Sequence, residues 1–295
     1  MSTPSTITAR SQSPETWTQI PRDEPKAEPP SKVLFDWAIG APKPSEEDSE
    51  EEDSIVTDRP DFTEASSTVG NGRIQLEAGY TWYRDSRGGT KTIAHTYPEV
   101  LIRAGLFADW FELRLGQTYA HSRTTEFGRP TEHVSGLTDL YVGSKLGLTE
   151  QNGELPEMAL ILQALVPTGT QTLSADRVLP GFNFLYGWDV IPDLLSAAGS
   201  LGVNRAVDDS NHSFVVMSQS FSLGYTITEQ IGAYTEWFAL YPTGAIAPDV
   251  GPQHYFDGGF TYKVTSNLQL DIRAGVGLNE RADDFFAGAG FAYRY

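Results

Sequence analysis

The chain has 295 residues, with 21 Lys and Arg against 39 Asp and Glu, a formal net charge of −18 and no cysteine. Disulfide frameworks and thiolate metal sites are therefore excluded, and sequence-independent nucleic-acid binding, which relies on clustered Lys and Arg, is not expected. No apolar run approaches the roughly 20 residues of a membrane-crossing helix, while Gly (28), Phe (15) and Tyr (13) are abundant enough to favour strands and tight turns.

Residues 1–55 read as a disordered acidic and Pro-rich extension. Its stretches "PRDEPKAEPPSK" and "PSEEDSEEEDS" carry too little apolar surface to offset backbone ordering. "MSTPSTITARSQ" lacks the apolar centre of a secretory signal, and "VLFDWAIGA" is interrupted by Asp36, so no signal peptide is read here. Within this region Val33, Leu34, Phe35 and Trp37 form a candidate docking segment.

From Gly72 the texture changes to a period of two, the side-chain period of a strand. Residues 73–85 set Ile74, Leu76, Ala78, Tyr80 and Trp82 against Gln75, Glu77, Gly79, Thr81 and Tyr83. Next, Val100, Ile102 and Ala104 oppose Glu99, Leu101 and Arg103, and Phe111, Leu113 and Leu115 oppose Glu112, Arg114 and Gly116. Leu140, Val142 and Leu146 oppose Asp139, Tyr141 and Lys145, whereas "EMALILQALVPTG" at 157–169 is, after Glu157, apolar on both faces apart from Gln163. The segment 182–190 alternates Phe182, Phe184, Tyr186 and Trp188 with Asn183, Leu185 and Gly187, and 195–203 and 213–225 continue the pattern, the latter with Gln219 on its apolar face. Ile231 and Trp237 then oppose Tyr234, Glu236 and Phe238, and Phe256, Phe260 and Tyr262 oppose Asp257 and Lys263. Leu270, Ile272 and Val276 oppose Asp271 and Arg273, and a final segment places Ala287, Ala289, Phe291, Tyr293 and Tyr295 against Phe286, Gly288, Gly290, Ala292 and Arg294.

These twelve segments are joined by connections read as strictly alternating, long at 120–136, 167–181, 204–212 and 241–253, short elsewhere. Alternation gathers the long loops at one end, and an even strand number brings both termini to the other. A soluble sandwich shares the two-faced periodicity. Repetition, strand length, loop asymmetry and the aromatic terminus favour an all-β fold: a single closed antiparallel transmembrane β-barrel of about 12 strands over 72–295, entered through a lead-in segment at 56–71. In lipid every backbone N–H and C=O needs an internal partner, so the sheet must close. Phe291, Tyr293 and Tyr295 then mark the closing strand, the expected handle for barrel-assembly machinery, with outer-membrane lipid as the surrounding partner. The expected lumen-lining charges are Glu77, Glu99, Arg103, Glu112, Arg114, Asp139, Lys145, Glu236, Asp257, Lys263, Asp271, Arg273 and Arg294.

The stretch "VTDRPDFTEASSTVGNGRIQLEAGYTWY" resembles the start of a family of bacterial outer-membrane barrels labelled as transporters or phenol meta-pathway proteins. "GLTDLYVGSKLGL" at 136–148 and "LVPTGT" at 165–170 are similar to its internal landmarks, so the resemblance runs from about residue 56 to the end. It implies that Asp58, Arg59, Pro60, Asp61 and Phe62 form the family's characteristic lead-in and that Gly72, Gln75, Leu76 and Glu77 open the first strand. It implies an outer-membrane location in a Gram-negative-type bacterium and says little about cargo.

No enzyme constellation, cofactor or metal is expected. The histidines at 95, 121, 133, 212 and 254 lack metal-ligand spacing, although His121 and His133 share one expected loop with Glu126 and Glu132. His254 with Ser218 or Ser220 is the remote candidate for a lipid-modifying site on the barrel wall. Asp58, Arg59 and Asp61 are expected either to fold into the lumen, pair with inward charges such as Glu77 or Arg294 and so plug or narrow the periplasmic mouth, or only to fix how the chain enters the barrel. The leading function is passive passage of small solutes. A structural or adhesive barrel with a filled lumen comes second.

Overall fold

The computed structural model describes residues 31–35, 54–208, 210–247 and 250–295. The extension expected over 1–55 therefore lies outside the described residues except for 31–35 and 54–55, and Trp37 of the candidate docking segment lies outside them too.

Thirteen strands follow in order: β1 (Ile74–Arg87), β2 (Thr90–Gly105), β3 (Phe111–Glu126), β4 (Glu132–Leu137), β5 (Leu140–Thr149), β6 (Glu157–Val166), β7 (Leu179–Ile191), β8 (Leu195–Val207), β9 (Ser213–Thr226), β10 (Ile231–Thr243), β11 (Gln253–Thr265), β12 (Leu268–Gly277) and β13 (Phe285–Arg294). Each pairs antiparallel with its neighbours, and β1 pairs with β13, so the sheet closes on itself. The closing register runs from Gln75 opposite Arg294 to Arg84 opposite Phe285, and the Tyr295 N–H donates to the Ile74 carbonyl at 2.8 Å. Closure leaves no unpaired edge at the seam, since β13 is paired with β12 on one side and β1 on the other.

Strands β4 and β5 share β3 as a partner, β4 over Tyr119–Thr124 and β5 over Phe111–Gly116. The ring itself thus has twelve strands, and β4 is one extra strand above a break at Thr138 and Asp139. The long loop expected at 120–136 is mostly strand: β3 continues to Glu126 and β4 runs back beside it. Polar residues on both faces hide this from a two-period reading, because a wall standing clear of hydrocarbon no longer needs an apolar face. Strict alternation of loop length fails for the same reason, since β1 and β2 meet at the far end through the tight turn Gly88-Gly89, both at positive φ.

The two faces sort as their residue types require. Ile272 (56% exposed), Phe260 (53%) and Leu162 (48%) point outward, whereas Glu77, Arg103, Glu112, Arg114, Lys145 and Glu236 are exposed by no more than 1%. An aliphatic and aromatic exterior around a charged interior inverts the arrangement of a water-soluble protein and matches a wall set in lipid.

Candidate functional site

The interior is occupied by the chain itself. Residues 54–71 rise into the barrel from the rim where β1 begins and β13 ends, and return to that rim. At the outset the Ile55 N–H donates to the Ser266 carbonyl at 2.7 Å, in the β11–β12 turn. On return Asn71 N–H donates to Asp109 Oδ1 at 2.8 Å, in the β2–β3 turn. Residues 31–35 meet the same rim, Leu34 and Phe35 donating backbone N–H to the carbonyls of Gly147 and Leu148 at 2.9 and 3.0 Å. That contact realises part of the candidate docking segment.

Asp58 sits at the centre of the first half of the inserted segment. Its Oδ2 accepts from Arg114 Nη1 at 2.6 Å and lies 3.4 Å from Arg103 Nε; its Oδ1 accepts from Lys145 Nζ at 2.9 Å. The Asp58 N–H donates to Glu77 Oε1 at 3.1 Å. Arg103 is shared with Glu112 (2.8 Å) and Glu77 (3.1 Å), and Arg114 reaches Glu112 (2.9 Å) and Glu64. Lys145 also donates to the carbonyl of Ala65 at 2.8 Å. Three wall cations that share their strands with few carboxylates are thus satisfied by an acid the chain carries in from outside the barrel. Burial would raise the Asp58 carboxyl, but Arg103, Arg114 and Lys145 outweigh it and hold the group well below the usual carboxylate range.

Arg59 crosses to the other wall. Its guanidinium meets Glu99 at 2.9 Å and Asp271 at 3.2 Å. It fits because Gly79 on β1 and Gly290 on β13 carry no side chain: a Cβ on either would stand 2.3–2.6 Å from guanidinium atoms. Beyond it, Arg273 donates to the Pro60 carbonyl (2.8 Å) and to Thr81 Oγ1 (3.0 Å). Glu236 accepts from the backbone N–H groups of Phe62 (2.6 Å) and Thr63 (2.8 Å), and Thr63 Oγ1 reaches Glu236 and Ser220. The Phe62 ring stacks on Phe238 with centroids 4.5 Å apart and planes 3° apart, and Phe238 stacks on Tyr255 at 4.7 Å. Phe286 and Tyr83 complete this aromatic filling. Asp61 faces Ser222, and its carboxyl is pushed up to about 8 by burial and by the nearby Asp257 and Asp58.

A cavity of about 340 Å³ remains above the segment, lined by Arg59, Glu99, Arg114, Gln117 and Tyr141 among others. Asp139, at the β4–β5 break, borders it and accepts from Gly169 N (3.1 Å) and Ala175 N (2.9 Å), so it also anchors the β6–β7 loop. Of the remaining expected lumen charges, Asp257 accepts from Tyr234 at 2.9 Å, Lys263 is half-buried toward the rim, and Arg294 donates to Asn267 Oδ1 at the rim at 3.0 Å. Asp58 turns to Arg103, Arg114 and Lys145, which converge on it from β2, β3 and β5; Arg294, expected as a partner, donates to Asn267 in the β11–β12 turn.

The alternative chemistries do not assemble. His254 lies outside the wall beside the rings of Trp237 and Tyr241, the latter edge-on, while Ser220 is buried inside against Ser200 and Ser218 is buried with it, so base and hydroxyl lie on opposite faces. His121 and His133 lie on strands rather than in one loop, with the parity opposite to Glu126 and Glu132. Among the described residues no group of three or more such side chains is placed to hold a metal ion.

Reading residue types missed Glu64 and Thr63, and took Ser220 only as a remote partner of His254, since hydroxyls and a lone acid carry no signal of their own. The inward glycines were the usable sign: Gly in a strand marks a close approach by another part of the chain, and both Gly79 and Gly290 face Arg59.

The sequence profile of the family described as "Putative MetA-pathway of phenol degradation" matches residues 57–295. Among solved structures, the fold is similar to an outer membrane channel from Pseudomonas putida F1, with TM-score 0.61, 13% identity, and 78% of this chain and 98% of that one covered. It is also similar to the translocator domain of the autotransporter NalP from Neisseria meningitidis, with TM-score 0.51, 13% identity, and 76% and 88% covered. No curated protein matches the chain.

Proposed function

The chain belongs to that phenol-degradation family, and on this premise we propose that it is an outer-membrane channel for passive passage of small solutes, held shut by residues 54–71. The single observation that carries the reading is the seat of Arg59: two strands across the closing seam, β1 and β13, each place a glycine where the guanidinium lies, and Glu99 and Asp271 grip it. A wall shaped for a particular inserted side chain supports a stopper that can be seated and released, and rings of fixed charge around a wet path supply selectivity. In the outer membrane the rim where β1 begins and β13 ends faces the periplasm and the longer loops face outward. Before the seam closes, the edge of β13 that later pairs with β1 is open to barrel-assembly machinery, and lipid surrounds the apolar wall.

The second reading is a structural barrel with a permanently filled lumen. The aromatic stack from Phe62 through Phe238 to Tyr255 favours it. Planar-bilayer recording separates the two. For a channel, folded wild-type protein gives infrequent unitary currents, and Arg59→Ala makes them frequent and stable. No currents from either protein, with folding verified by heat-modifiable migration, overturns the channel.

A further inference from the structure

The lead-in segment accounts for the lumen but not for a basic surface on the opposite side of the wall. Across β1 to β4 the pairing aligns outward residues in rows. The row nearest the membrane centre holds aromatic rings: Tyr80, Tyr97 and Tyr119, with Tyr97 6.3 Å from Tyr80 and 5.7 Å from Tyr119. Above it, Trp82 pairs with His95, and His95 with His121. One row higher, Arg84 pairs with Ile93, Ile93 with Arg123, and Arg123 with His133. Lys91 stands in the last row.

The three imidazoles run diagonally across three neighbouring strands, with ring centroids 6.1 Å apart at both steps. His95 is held by Tyr80, whose hydroxyl lies 2.9 Å from Nδ1, which turns Nε2 away from that contact. Acids are present on these strands, yet Asp85, Glu126 and Glu132 have the inward parity, and Asp85 is engaged by the equally inward Arg87 at 3.4 Å. Arg84, Lys91 and Arg123 are exposed and have no ion-pair partner among the described residues. A chain of net charge −18 thus gathers cations, free of carboxylates, directly above an aromatic belt on a lipid-facing wall.

Tyr and Trp rings sit at headgroup level in a bilayer, so a cation one or two rows further out stands where lipid phosphates lie. Guanidinium and imidazole N–H groups are donors suited to phosphate oxygens. Resting on the outer-membrane reading, we propose that this face of β1–β4 docks a phosphorylated lipid of the outer leaflet, with Arg84, Arg123 and the His95–His121–His133 ladder gripping its phosphate groups.

Native mass spectrometry of the full chain released from detergent tests this, with diphosphoryl lipid A and the same lipid after enzymatic dephosphorylation as probes. The phosphorylated form stays bound and the dephosphorylated form does not. The double variant Arg84→Gln/Arg123→Gln, folded by heat-modifiable migration, loses about thirtyfold in affinity, the effect of two cations at a membrane surface. Inorganic phosphate at millimolar concentration leaves the lipid bound. Equal retention of both lipids, unchanged affinity in the variant, or full displacement by inorganic phosphate each overturns the proposal. The wild-type comparison decides the matter alone if the variant does not fold. A chain that never inserts into lipid overturns the membrane reading itself, a separate result visible as loss of the heat-modifiable band.

Discussion

A β-carbon added at Gly79 would stand 2.3 Å from Cζ of Arg59, so the first barrel strand and the inserted segment compete for one volume. The atoms met are the far end of a flexible side chain, so the guanidinium gives way before the strand does. Gly79→Ala is expected to fold normally while loosening the ion pairs of Arg59 with Glu99 and Asp271. Charge-assisted bonds of this kind contribute about 1.5–3 kcal/mol each. Unitary currents in planar bilayers become more frequent than in wild type, and unchanged currents would sink the seat as a latch.

Asp58 is the only carboxylate of the inserted segment that touches Arg103, Arg114 and Lys145 together. Asp58→Asn leaves those buried cations short of one charge, a change that costs about 3–5 kcal/mol when a buried pair loses a partner. The cost falls on segment docking and on barrel stability together. Protease cleavage within residues 54–71 and urea unfolding, followed in parallel, are expected to shift the same way.

Docking also depends on pH through Asp61. Its carboxyl is raised from an ordinary 3.8 to about 8, so the inserted state binds the proton that the released state gives up. The sign follows from linkage: the Asp61 contribution to docking is fully present below pH 4 and is lost as pH rises from 4 toward 8, by at most tenfold per pH unit for a single site, whereas the Asp58 contribution is lost only on acidification below about pH 4. Asp58 adds nothing in this window, because its depressed carboxyl stays ionised throughout. Open probability should therefore rise between pH 5 and pH 8, and rise less steeply in Asp61→Asn. A wild-type profile that falls with pH refutes this assignment.

Ile272 faces outward and is 56% exposed. If hydrocarbon covers it, Ile272→Lys destabilises by about 2–4 kcal/mol near the bilayer midplane; if water did, the change would stay within about 0.5 kcal/mol. Urea titration of the folded, heat-modifiable band in lipid vesicles measures the difference.

The wall was readable in the sequence because each strand obeys one rule, and Gln75, Glu77, Arg103 and Arg114 all fall on the face their parity assigns. Closure was readable from the repeated two-faced strands, since an apolar face set in lipid leaves no edge that water can satisfy. The upper parts of β3 and β4 were not, because outside hydrocarbon the outward His121 and Arg123 and the inward Ser122 and Thr124 are all polar, so residue type no longer tells the faces apart. The partners of the inserted segment were hidden for another reason. Asp58 and Lys145 are 87 residues apart, and which charges meet depends on height within the barrel, a coordinate that alternation does not encode.

The inserted stretch leaves and rejoins the same rim, at Ser266 and at Asp109. It is a bight, like a fold of rope pushed into a pipe, and neither of its ends passes through the ring. A bight can be withdrawn without unthreading anything. The hoop can accordingly be completed first and stoppered afterwards, and a released stopper stays tethered beside the opening, ready to return.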